Sequence, residues 1–461
     1  MVRSPARLVI AGTRSGDGKT TVATGLMSAL RAAGMRVSGH KVGPDYIDPS
    51  YHAAATGRPG RNLDPWLTSE NLIAPLFLHG AEGADISLIE GVMGLFDGTA
   101  GRGDFASTAH VARLLDAPIV LVVSAAGAGR SIAATVHGFA RYDPAVRVAG
   151  VVLNQVSSPR HEQILREALA ETRIPVIGVL PAEAVLHTPS RHLGLVPAAE
   201  RSADVRDWLP ALTAIVGEHL DLELITAIAS GAPQLTAQPW SPSFRAETEA
   251  TTNGHSGAPA RVAIAAGPAF TFGYAEHREL LAAAGADVAE FDPLADATLP
   301  DGTDALVVGG GFPEVYAAEL AANETLRSDV RRRAGAGMPV VAECAGLLWL
   351  ARVLDGHPQC GVLPATAHMS PKLTLGYREA VAVTPSPLAA AGTVIRAHEF
   401  HRTSVQPAQG ESPAWRLRDG SEHGWATAAL LASYLHVHWA GLPGAASRLI
   451  GAALSARPVR I

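Results

Sequence analysis

The sequence predicts an α/β protein built from two parallel-sheet domains. Three observations carry that expectation. Short β-branched runs alternate with Ala-rich helical stretches in both halves of the chain, the rhythm of strands joined by crossover helices. Between Ser230 and Pro259 the texture changes to Pro, Ser, Thr, Gly and Asn with little periodicity, as a flexible linker does. Each half also carries a small-residue turn that follows an apolar run and opens a helical one.

A chain of 461 residues is too long for one compact core. The expected division is an N-terminal domain over 1–228, a linker over 229–260 and a C-terminal domain over 261–461. Net charge is −6 with 17% charged residues, and no Lys/Arg run forms a basic stripe, so nucleic acid is not an expected partner. The longest apolar stretch, Ala117–Ala126, falls short of the roughly 20 residues of a bilayer span, and Met1–Arg7 lacks the apolar core of a signal peptide. A soluble, cytoplasmic protein without a membrane partner is the expectation. Two cysteines, Cys344 and Cys360, exclude a disulfide framework and fit a reducing compartment.

In the N-terminal half, Arg7–Ala11 predicts the first strand and a helix begins near Lys19, with further strands at Ile86–Ile89, Ile119–Val123, Val148–Leu153 and Val176–Val179. The intervening loop runs from Gly12 through Thr13, Gly16, Asp17, Gly18, Lys19 and Thr20 to Thr21. Small residues let backbone N–H groups approach phosphate oxygens, and the helix N-terminus favours negative charge. Lys19 then reaches the β/γ-phosphates of ATP and the Thr20 hydroxyl ligates Mg²⁺. Thr13 occupies the first glycine position of the strict G-x-x-x-x-G-K-[ST] pattern, the glycine standing one residue earlier at Gly12.

Lys41–Pro49 follows the second strand and puts Asp45, Tyr46 and Asp48 at the C-terminal edge of the sheet, where open α/β folds bind ligands. Glu90 ends another strand, with Asp97 beyond it. Glu90 and Asp45 are candidate oxygen ligands to complete the Mg²⁺ shell around Thr20. Asp45, Tyr46, Asp48 and Asp97 are candidate substrate contacts, the alternative for the aspartates being turn residues that bond their own backbone. Asn154 either reads the adenine edge or caps a helix.

In the C-terminal half, strands are expected at Arg261–Ala266, Asp287–Phe291, Ala305–Val308, Val340–Ala342 and Ser433–His436. Val340–Ala342 leads into Glu343-Cys344-Ala345-Gly346 and then a helical run, a strand–turn–helix that exposes a nucleophile over the sheet edge. A free thiol is only a few per cent thiolate at neutral pH, so it needs a base. His436 is the candidate, with His438 on the same strand face as the alternative. Gly310, Gly311 and Ala345 offer unhindered N–H groups for an oxyanion. Cys360 has no comparable setting and reads as structural.

Together these segments resemble the cobyrinic acid a,c-diamide synthase family, glutamine-dependent ligases that amidate the a and c side-chain carboxylates of a corrin ring. The resemblance runs through Gly12–Thr21, Lys41–Pro49, Asn62–Asp64, Glu90–Gly98, Ser190–Pro197, Gly309–Glu314, Glu343–Gly346, Leu375–Arg378, His398–His401 and Tyr434–His438. It implies a P-loop ligase domain of the dethiobiotin-synthetase-like branch, followed by a class I glutamine amidotransferase domain. It also implies corrin acid, L-glutamine and ATP as substrates, Mg²⁺ as cofactor, Cys344 and His436 as the glutaminase pair, and leaves room for a homodimer. Related amidotransferases carry a Glu two residues after the histidine, where this chain has His438, so the orienter of His436 is unassigned. Relatives also commonly carry an Asp where this chain has Gly267. The sister cobyric acid synthases resemble the chain in both domains but carry a Lys-Pro-Gln-Asn-type segment in place of Lys41–Pro49. The alternatives are the same chemistry on another tetrapyrrole acid, such as a nickel sirohydrochlorin, or a nucleotide- or corrinoid-binding protein with an inactive glutaminase.

Overall fold

A computed structural model describes residues 4–183, 190–191, 194–195, 202–242 and 258–457. It divides into two compact units, Met1–Ser241 and Pro242–Ile461. The Ser190–Pro197 segment, apart from two short strands, and residues 243–257 of the expected linker lie outside the described residues.

In the first unit the elements alternate as β1 (Ala6–Gly12), α1 (Lys19–Ala32), β2 (Val37–Val42), α2 (Asp48–Thr56), β3 (Arg61–Leu63), α3 (Glu70–Gly80), β4 (Ile86–Glu90), α4 (Thr108–Leu114), β5 (Ile119–Ser124), α5 (Ile132–Tyr142), β6 (Val148–Val156), α6 (Pro159–Ala170) and β7 (Val176–Pro181). A small hairpin, β8 (Ser190–Arg191) with β9 (Gly194–Leu195), precedes α7 (Ser202–His219) and α8 (Leu222–Ser230). Seven parallel strands align in the order β3-β2-β4-β1-β5-β6-β7. The β-branched runs are buried on both faces, as helices packed on either side of a parallel sheet require. On one face Val22, Leu26 and Met27 of α1 pack on Leu8, Ile10, Leu88 and Val122 of the strands and on Leu212 and Val216 of α7. Gly25 permits this approach, since a Cβ there would lie 2.5 Å from Val216 Cγ2.

The second unit begins with β10 (Arg261–Ala265), α9 (Ala275–Ala283), β11 (Asp287–Phe291), β12 (Ala305–Val308), α10 (Ala317–Ala322), α11 (Glu324–Gly335), β13 (Val340–Glu343) and α12 (Ala345–Leu350). It continues through β14 (Val353–Leu354), β15 (His357–Pro358), β16 (Thr366–Ala382), β17 (Val394–Gln406), β18 (Trp415–Leu417), β19 (Glu422–His423), β20 (Trp425–Thr427), β21 (Leu430–Ser433), β22 (His436–Val437) and α13 (Ala445–Ala456). One sheet runs β11-β10-β12-β13-β21-β20, parallel except at β20. A second sheet, β15-β14-β16-β17-β22, is dominated by the long β16–β17 hairpin, which the sequence pattern did not predict.

The expected strand Ser433–His436 is two strands in different sheets. β21 ends at Ser433 beside Glu343, and β22 starts at His436 beside His398. The chain therefore changes sheet between the two, which aims His436 back over the sheet edge. His438 is not on the same strand as His436 but caps a short 3₁₀ turn, its side chain accepting from Ala440 N–H.

Candidate active site

In the first unit the loop after β1 is braced from within. The buried Asp17 carboxylate accepts from Thr13 N–H at 2.7 Å, Thr13 Oγ1–H at 2.6 Å and Arg14 N–H at 3.1 Å. Thr13 and Asp17, expected to touch phosphate, thus bond each other and shape the loop. Asn154 Nδ2 donates to Asp17 O at 2.9 Å while its Oδ1 accepts from Gln155 N–H. Asn154 thus props the loop from both polar ends of its amide, with the second Nδ2 hydrogen and the second Oδ1 lone pair left for the adenine edge. Gly18 must be glycine here, because its φ is 92° and a Cβ would fall 2.2 Å from Asn154 Nδ2.

Lys19 and Thr20 open α1. Lys19 Nζ donates to Arg14 O at 3.0 Å, folded over its own loop. Burial and the nearby Lys41 charge hold its pKa below the ordinary value. Thr20 Oγ1–H donates to Glu90 Oε1 at 2.6 Å and lies 3.3 Å from Asp48 Oδ2. Lys41, on β2, donates to Asp48 Oδ2 at 2.5 Å, Glu90 Oε1 at 2.8 Å and Gly91 O at 3.0 Å. His52 Nε2 closes the group, 2.7 Å from Glu90 Oε2.

The cluster is almost dry, with Lys41, Asp48, His52 and Glu90 all buried. Burial alone would neutralise the Lys41 ammonium, but Asp48 and Glu90 more than offset it and hold its pKa above normal. Glu90 is opposed by burial and held low by Lys41 and His52. Burial and the neighbouring Asp45 and Glu90 push Asp48 up.

The expected ligand Asp45 departs from this group. Its Oδ1 accepts from Ile47 and Asp48 N–H at 2.8 and 3.0 Å, the turn role, and its Oδ2 stands 4.0 Å from Lys41. Asp97 is likewise a turn residue, accepting from Gly94 N–H at 2.9 Å, and Tyr46 is buried. Asp48 is thus the carboxylate that joins Thr20 and Glu90. Two carboxylates, a hydroxyl and phosphate oxygens are the hard donor set that Mg²⁺ takes. No group of three or more His, Cys, Asp or Glu side chains among the described residues forms a metal cage. Lys41 and His52 escaped sequence reasoning. The Asp48-to-His52 spacing, i to i+4 after Pro49, was the available signal.

In the second unit Cys344 stands between β13 and α12 with φ 51° and ψ −100°, a conformation costly for any non-glycine residue and typical of a nucleophile turn. Its N–H donates to Ser433 O at 2.7 Å, and its Sγ lies 3.7 Å from Phe400 O. Ala345 N–H hydrogen-bonds the sulfur; burial and the Glu314 carboxylate nonetheless raise the thiol pKa. Gly346 N–H donates to Gly309 O, and a Cβ on Gly310 would lie 2.4 Å from His436 Cε1. The Gly309–Gly310 turn therefore touches both the thiol turn and the imidazole.

Gly310 N–H is taken by Phe272 O at 3.1 Å, so it is not a free oxyanion donor. Gly311 and Ala345 are the remaining candidates, the Ala345 N–H being held by the thiol sulfur itself. Burial, then the charges of His398 and His401, push His436 down to about 3. Thiol and imidazole are thus an uncharged pair. His438, at the position of the missing Glu, lies 3.6 Å from Glu276 of α9, while His398 faces His436 across the β17–β22 ladder. A Cβ at Gly267 would lie 2.5 Å from Asp292 Cγ, which places a carboxylate beside that glycine. Cys360 is fully buried, its carbonyl held by Arg331, in keeping with a structural role.

Residues 8–196 match the CobQ/CobB/MinD/ParA nucleotide binding domain family, and residues 261–443 match the CobB/CobQ-like glutamine amidotransferase domain family. The hydrogenobyrinate a,c-diamide synthase of Streptomyces coelicolor is 55% identical, with 96% of both chains covered. That of Mycobacterium tuberculosis is 51% identical over 98% of both. The cobyrinate a,c-diamide synthase of Gloeobacter violaceus is 43% identical over 96% of both. With relatives this similar along nearly their whole length, the chain belongs to the cobyrinate/hydrogenobyrinate a,c-diamide synthase family.

Proposed function

We propose that this chain amidates the a and c side-chain carboxylates of a corrin acid in cobalamin biosynthesis, using ATP to activate each carboxylate and glutamine as the nitrogen source. The observation that carries the proposal is the pairing, on one chain, of a phosphate loop whose Thr20 meets Glu90 with a thiol turn beside a buried imidazole. Hydrogenobyrinate, the metal-free acid, is the favoured substrate, because the relatives named for it are 51–55% identical and those named for cobyrinate 40–43%. Both cysteines are free thiols, which supports a cytoplasmic setting. No helix among the described residues is long and apolar enough to cross a membrane.

Cys344 attacks the side-chain amide carbon of glutamine as its proton passes to His436, which then protonates the departing ammonia. Gly311 and Ala345 N–H groups hold the oxyanion. Water releases glutamate from the thioester. In the other unit the corrin carboxylate attacks the γ-phosphorus of ATP, and ammonia displaces phosphate from the resulting acyl phosphate. Lys19 neutralises charge on the transferring phosphoryl group. Thr20, Glu90 and Asp48 are the residues that would hold Mg²⁺, which neutralises phosphate charge when bound. Lys41 keeps Asp48 and Glu90 together.

The test is incubation of hydrogenobyrinic and cobyrinic acids in turn with ATP and glutamine, followed by mass spectrometry. Two successive OH-to-NH₂ exchanges, faster on the metal-free acid, are expected. A product with no exchanged group on either acid contradicts the proposal.

A further inference from the structure

His52 belongs to neither loop nor turn, yet it is fully buried and directed at Glu90. It lies four residues after Asp48 on α2, so the two side chains share one helix face and reach the same carboxylate cluster. A carboxylate oxygen only accepts, so the His52 Nε2 facing Glu90 Oε2 at 2.7 Å is the protonated nitrogen. The opposite oxygen, Oε1, is the one that meets Thr20 and Lys41.

The slot for the ring is built into the adjacent strand. Gly39 of β2 carries no side chain, and a Cβ there would lie 2.8 Å from His52 Cβ and 2.9 Å from Met27 Sδ. A carboxylate's last torsion is otherwise broad, so an unbraced Glu90 would swing. We infer that His52 is a positioning residue that fixes the Glu90 carboxylate with Oε1 turned toward the divalent cation of bound Mg-ATP. The inference rests on the proposed reading of the Gly12–Thr21 loop as the Mg-ATP site. Outer-shell partners of this kind alter metal affinity by about 10–100-fold.

Two amides of like polarity separate bracing from mere filling of space. His52→Gln reaches about as far as Nε2, whereas His52→Asn ends near Nδ1, short of Glu90. Gly39→Ala displaces the ring without altering it. ATP binding to the full chain is followed by equilibrium dialysis across a MgCl₂ series, with thermal midpoints measured alongside. His52→Gln should leave the Mg²⁺ concentration for half-maximal binding within about threefold of the parent, whereas His52→Asn and Gly39→Ala raise it about tenfold or more. Equal shifts for Gln and Asn, or none in any variant, overturn the inference. If Asn does not fold, the comparison of His52→Gln with Gly39→Ala decides in the same way. A parent protein that binds ATP without regard to Mg²⁺ overturns the Mg-ATP reading itself, a result distinct from variants that match a Mg²⁺-dependent parent.

Discussion

The Thr20 hydroxyl and the Glu90 carboxylate meet at 2.6 Å although 70 residues separate them in sequence. The parallel register explains the meeting, because Ile10 near the end of β1 pairs with Glu90 at the end of β4, and both strands deliver their next residues to one edge. Thr20→Val removes the hydroxyl while keeping the shape. Amidation should fall by on the order of 10² or more with either glutamine or ammonia, while glutamate release without corrin persists. Initial rates with both nitrogen donors check this, and a loss confined to glutamine would contradict it.

Cys344→Ser should abolish glutamine-driven synthesis yet preserve synthesis from concentrated ammonium salts, since only nitrogen supply depends on the thiol. Lys19→Ala should stop synthesis with both donors. Steady-state assays of the pair give opposite patterns if the two units divide the work as argued, and matching patterns refute that division.

Gly310→Ala places a methyl 2.4 Å from His436 Cε1 and 3.0 Å from Phe272 Cβ, so the imidazole must shift. A displacement of about 1 Å costs on the order of 10² in rate. Glutamine hydrolysis should drop by about that factor with ammonia-driven amidation retained. Hydrolysis at the parent rate would show that His436 is not the base.

Burial raises the Glu343 carboxyl to about 8, with Val437 N–H opposing the shift. Its folded pKa exceeds the unfolded value, so the stability it contributes is complete below the ordinary carboxylate range and is lost as pH rises toward 8. The slope is at most about 1.4 kcal/mol per pH unit across that window. Thermal midpoints between pH 5 and 8 should fall more steeply for the parent than for Glu343→Gln. Parallel curves would mean that Glu343 is ionised in the folded protein.

Burial and the charges of His398 and His401 hold His436 at about 3, so it stays neutral throughout the mildly acidic range. The kcat/KM for glutamine hydrolysis should therefore show no acid limb near pH 6.5. A limb at that value, absent in Gly310→Ala, would place the working pKa of His436 near its ordinary position.

The sequence made the β1–loop–α1 and β13–turn–α12 passages legible because each is local, a strand, a small-residue turn and a helix in one run. Cys344 and Lys19 followed from that alone. The β16–β17 hairpin was not legible, because its residues alternate irregularly and its register shifts between Met369 and Thr374. The change of sheet at Ser433–His436 was hidden for the same reason, since pairing partners lie far along the chain. Lys41 was passed over because a lysine inside a buried strand becomes meaningful only once Asp48 and Glu90 are seen on either side. Asp45 and Asp97 were read as ligands from their place beyond strand ends, but the turn around each engages one of its carboxylate oxygens.

The central claim is that the corrin carboxylate is phosphorylated before nitrogen reaches it. The direct measurement is amidation of substrate labelled with ¹⁸O in its carboxylates, with the released phosphate analysed by mass spectrometry. One labelled oxygen should appear in phosphate for every amide formed. Amide formation with unlabelled phosphate would contradict the acyl phosphate.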